Sequence, residues 1–99
     1  MGSPVTTAPE VRAELVRLVR GEADRARTFD QQATLDRLRV SCYRTLIRAC
    51  IDGAVPAETD LQASADLIAG AVWSRVVHGE DVTEAHAAAV VDAIMPRSA

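Results

Sequence analysis

At 99 residues the chain makes one domain with a modest core, since a domain this short buries well under three-quarters of its unfolded surface. Apolar residues reach 48%, too many for disorder, yet the aromatics are only Phe29, Tyr43 and Trp73, and much of the remainder is alanine, which gains little from burial at about 25 cal/mol per Å². The formal charge is −3, which argues against a chain that grips nucleic acid by itself, because such a protein presents a basic face to the phosphates; that every basic residue is an arginine says little about chemistry.

No segment alternates with the period of a strand, and four helices are readable, so the expected fold is all-α, an antiparallel bundle of about four helices. Residues 1–7 read as a disordered lead, 8–96 as the helical domain and 97–99 as a tail. The first helix opens near residue 8, where Thr7-Ala8-Pro9-Glu10 forms a capping box with proline tolerated in the first turn. Its apolar stripe is Val11, Leu15, Leu18 and Val19, with Ala26 added if Gly21 is accommodated within the helix.

The second helix spans about residues 30 to 52, with Thr28 and Gln31 as a weaker capping box, Gly53 as the left-handed stop and Pro56 blocking continuation. Leu35, Leu38, Cys42, Leu46, Ala49 and Cys50 form one stripe, and Val40, Ile47 and Ile51 form another that merges with it around Tyr43. Arg37, Ser41, Arg44, Arg48 and Asp52 fill the remaining arc, so this helix is expected to be buried on two sides and wet on one. The arginine ridge reads as a solvated face rather than a nucleic-acid contact.

Thr59 or Asp60 caps a third helix that runs to about His78 and ends at Gly79. Leu61, Ala65, Leu67, Ile68, Ala69, Ala71, Val72, Trp73, Val76 and Val77 leave it without a clean polar face, and a helix apolar nearly all round is expected to be buried all round. Four short helices cannot enclose it, so a second copy of the chain is the expected cover. The last helix opens at Thr83, shows Ala87, Val90, Val91, Ile94 and Met95 on one face, and is stopped by Pro96. The small-residue rows put the homodimer contact at Ala65, Ala69, Val72 and Val76 of the third helix, joined by Ala87, Val90, Val91 and Ile94 of the fourth.

Chemistry finds little footing. There is no GxSxG elbow, phosphate-cradling glycine loop, CxxC or HExxH, so no catalytic residue, cofactor or metal is assigned. His78, Glu80, Asp81 and His86 match no standard metal spacing, and His78 suits the end of a helix dipole. Asp66 and Arg75, nine apart on roughly opposite faces, act either as pocket or intersubunit anchors or as satisfied surface bonds. Cys42 and Cys50 lie about 12 Å apart along one helix, too far to bridge, and read as small core filler. Two unpaired thiols, no signal segment and no apolar run near 18 residues point to a reducing cytoplasm and no membrane.

One stretch carries more than composition. After the Gly53 stop and a short acidic loop, Asp66-Leu67-Ile68-Ala69-Gly70-Ala71-Val72-Trp73-Ser74-Arg75 leads to the turn Gly79-Glu80 and a last amphipathic helix. This D-L-x-x-G-x-x-W-x-R pattern with its flanking turns resembles the end of the C-terminal domain of TetR-family transcriptional regulators. The resemblance implies a ligand-sensing and dimerising regulatory domain whose last two helices pair with those of a second subunit as a four-helix bundle. It also implies that the long second helix contributes to an effector cavity, whereas no helix-turn-helix is legible before Thr7 and no DNA contact is assigned to this chain.

The apolar surface on both sides of Tyr43 places the expected cavity between the first three helices, lined by Leu18, Leu38, Cys42, Tyr43, Leu46, Ile47 and Trp73, for a hydrophobic small molecule. The alternative is a small dimeric helical interaction module with no ligand and no role in transcription.

Overall fold

The computed structural model describes residues 7–28 and 30–95, without the side chains of residues 27 and 28. Among them it holds four helices, α1 (Ala8–Thr28), α2 (Gln31–Ile51), α3 (Leu61–Val77) and α4 (Glu84–Ile94), and no strand, as the helical periodicity predicts. Nearly all of residues 1–7, with Pro96 and the tail, lie outside the described residues. Each helix opens on a side-chain oxygen that accepts an otherwise orphaned amide: Thr7 from Glu10 at 3.4 Å, Asp30 from Ala33 at 3.1 Å, Asp60 from Ala63 at 2.9 Å and Thr83 from His86 at 3.1 Å. The cap of α2 is therefore Asp30 and not the expected Thr28, because α1 runs on to Thr28 and Asp30 is placed three residues before the amide of Ala33. Gly53 at φ 82° and Gly79 at φ 70° stop α2 and α3 in the left-handed region, where a side chain would be strained.

Helices α1 and α3 each touch the other three, whereas α2 and α4 do not meet among the described residues. Ion pairs Arg12–Asp92 at 2.5 Å and Arg20–Glu84 at 3.9 Å set α1 antiparallel to α4. Serving partners on several sides, α1 buries Val16 and Ala23 as well as Val11, Leu15, Val19 and Ala26, while Leu18 is only half-buried. The loop after α2 closes one end: the Ala54 and Val55 amides both donate to the Ala49 carbonyl, and the Val55 side chain is buried.

One expectation about burial is corrected and one is narrowed to the single chain. Within one copy α3 buries a single arc: Ser64, Ala65, Ile68, Val72 and Val76 face the core, whereas Leu67, Trp73 and Val77 are 59%, 43% and 51% exposed, the bare side for which the sequence expects a second copy. Helix α2 is not buried on two sides: its stripe of Leu35, Leu38, Cys42, Leu46 and Ala49 is in the core, but Val40 is 44% and Ile51 79% exposed. The reason is geometric, since neighbours lying against one arc of a helix leave the opposite arc bare whatever its composition.

Candidate functional site

The seven residues assigned to a ligand cavity do not share one. Leu38, Cys42 and Leu46 are packed in the core at 0–1% exposure, with no free face for a ligand, and Leu18 and Tyr43 lie half-buried against that core. Ile47 is half-buried on the outer side of α2, and Trp73 projects from the outer arc of α3. Helical spacing put these residues at the right heights, but the turn of α3 about its axis carries the indole away from Cys42 and Leu46. The small side chains of Ala23, Ala26, Ala49 and Ala65 allow α1, α2 and α3 to approach closely, and the interior is filled by the core itself.

The residues assigned to a dimer contact are likewise redistributed. Ala65, Val72, Val76, Ala87 and Val91 are buried within the single chain, and Ala69, Val90 and Ile94 are half-buried beside them. The row read as a contact between copies is the contact of α3 and α4 with the rest of their own bundle. What α3 offers outward is the complementary arc, Ala63, Leu67, Gly70, Trp73, Ser74 and Val77, all exposed.

A groove of about 190 Å³ does open at Tyr43, on the surface between α2 and α3, lined by Arg39, Val40, Tyr43, Gln62, Ala65 and Asp66. Arg39 reaches Asp66 across it at 3.8 Å. Asp66 and Arg75 are thus surface ion-pair partners within the chain, Arg75 meeting Glu80 at 3.3 Å. Sequence reading missed Arg39 and Gln62 because they contribute through a contact between helices, which periodicity along one helix does not register. His78 turns back on α3, its Nδ1 lying 2.6 Å from the Ser74 carbonyl, as its helix-end position suggests. Among the described residues no three His, Cys, Asp or Glu side chains gather where a metal would sit.

The two thiols differ. Burial, aided by the nearby Glu22 carboxylate, pushes the Cys42 thiol up to about 12 from 9.0, while Cys50 is half-buried at the end of α2. A raised thiol pKa means that the folded chain keeps its proton while the unfolded chain loses it, so the contribution is full below about pH 9 and is lost as the pH rises towards 12. We expect stability to fall by about 1.4 kcal/mol per pH unit in that window, and Cys42→Ala to flatten the slope. Urea titrations between pH 8 and 10.5 read it directly; parallel slopes in the two chains would contradict a buried neutral thiol.

Comparison with known proteins does not extend this description: no protein family, no curated protein and no solved structure matches the chain.

Proposed function

We propose that this chain is a self-associating regulatory module of the kind found in the C-terminal domain of TetR-type regulators, pairing through the outer arc of α3 and carrying no DNA-reading element of its own. The observation that carries the proposal is the exposure of Leu67, Trp73 and Val77 on one arc. Large apolar side chains grouped on a surface mark interaction sites more often than scattered ones do. The arc is also self-complementary. Its members lie at equal steps either side of Gly70, so two antiparallel copies crossing there place Leu67 on Trp73, Asp66 on Ser74 and Ala63 on Val77. Gly70 is exposed and an added Cβ would meet nothing within 4 Å, which leaves the crossing point open to a second backbone.

The effector part of the proposal rests on the Tyr43 groove, whose volume suits a small amphipathic molecule rather than one of drug size. The packing of Leu38, Cys42 and Leu46 favours the second reading, a dimeric interaction module without an effector. Sedimentation equilibrium over micromolar concentrations tests the pairing, with Trp73, the single indole, as an internal reporter. A dimer whose emission shifts to the blue as it forms supports the proposal; a monomer with concentration-independent emission overturns it. A small-molecule panel that leaves the melting temperature of that dimer unchanged decides for the second reading, since binding stabilises by mass action.

A further inference from the structure

The outer arc of α2 combines charge and apolar surface in a way the bundle does not use. Six arginines of the described chain find carboxylates nearby: Arg12 with Asp92, Arg17 with Glu14, Arg20 with Glu84, Arg25 with Glu22, Arg39 with Asp66 and Arg75 with Glu80. Arg37, Arg44 and Arg48, all exposed, make no ion pair among the described residues. They share one face of α2, at i, i+7 and i+11, a line of about 16 Å at 1.5 Å per residue. Beside them, within an arc of about 100° at 100° per residue, lie exposed Val40 and Ile51 and half-buried Ile47.

Acid is in excess in this chain, 14 carboxylate residues against 11 arginines, so the bare line is not caused by a shortage of partners. Carboxylates lie near it without closing an ion pair on it: Asp36 and Asp30 at its N-terminal end, Asp30 lining a groove with Arg37, Asp52 one turn after Arg48, and Glu10 and Glu14 facing Arg44 and Arg48 across a groove of about 430 Å³ between α1 and α2, Glu14 being engaged by Arg17.

We propose that this face of α2 docks an acidic amphipathic helix of a partner protein. Carboxylates repeating at i, i+7 and i+11 on that helix meet Arg37, Arg44 and Arg48, and an adjoining aliphatic row covers Val40, Ile47 and Ile51. The guanidinium fork favours carboxylates, which it binds through two parallel bonds. Charge complementarity selects this occupant. A bilayer would have to take a chain of charge −3 on two exposed aliphatic side chains, and duplex nucleic acid would be held by only three cations in one line. The surface is separate from the α3 arc, so the inference does not depend on self-association.

The test uses the full chain and a fluorescein-labelled synthetic helical peptide with glutamates at i, i+7 and i+11 beside a leucine row. Controls are its scrambled isomer, anionic phosphatidylserine vesicles and duplex DNA. We expect saturable anisotropy for the patterned peptide, at least tenfold tighter than for the scrambled one and weakened by salt. Arg44→Glu/Arg48→Glu should weaken it at least tenfold and Ile51→Ser severalfold, with circular dichroism unchanged because all three side chains are exposed. Arg20→Gln, on α1, should leave it as it was. Equal binding of the two peptides, or indifference to the Arg44 and Arg48 reversals, would overturn the proposal. So would vesicles or DNA binding in an Arg44- and Arg48-dependent way while the patterned peptide does not.

Discussion

The Ile68→Ala chain is expected to be largely unfolded at 37 °C, while Leu67→Ala, altered one residue earlier on the same helix, keeps nearly all its stability. Ile68 is fully buried, and removing most of its side chain loses both its transfer free energy and the packing around the space left behind, about 2–5 kcal/mol. A domain of this size holds roughly 5–15 kcal/mol in all, and an alanine-rich core with few aromatics belongs at the low end. Leu67 is 59% exposed, so its truncation falls within about 0.5 kcal/mol. Urea unfolding followed by circular dichroism in dilute solution separates the two. Equal losses would mean that α3 is enclosed on both arcs, which is the arrangement its composition alone suggests.

That contrast also marks how far the sequence is legible. Helix number, the Thr83 cap, the α3 cap to within the pair Thr59 and Asp60, and the glycine stops at Gly53 and Gly79 were readable, because capping and left-handed turns depend on residues adjacent in the chain. The core stripe of α2 was readable because it is continuous and opposite a charged arc. Helix α3 was not, since Leu67 and Ile68 are equally apolar and periodicity gives no rule for which faces inward. Its orientation follows from where α1, α2 and α4 lie, a tertiary fact. The same blindness moved Trp73 from the expected cavity to the surface and turned Ala65, Val72 and Val91 from a contact between chains into a contact within one. Arg39–Asp66, joining two helices across the Tyr43 groove, lay beyond any single-helix argument.

The Leu67→Glu/Val77→Glu chain is expected to be a folded monomer under conditions where the parent pairs. Both side chains are more than half exposed in the single chain, so the glutamates stay in water and the melting temperature of the dilute protein changes little. In the paired arrangement each symmetric copy would set a carboxylate against the partner's Trp73 and another against its Ala63, with no cation on the arc to receive them. Burying an unpaired charge costs about 3 kcal/mol or more, which raises Kd over a hundredfold. Gly70→Ala sharpens the test because its two effects have opposite signs. In the monomer an added methyl meets no neighbour and removes glycine from a helix interior, a gain of about 0.8–1 kcal/mol. At the crossing point the same methyl meets its symmetry mate and holds the two backbones apart. A Gly70→Ala chain that melts higher in dilute solution yet associates more weakly by sedimentation places the two-fold axis at Gly70; one that associates as tightly as the parent moves the contact to another part of the surface.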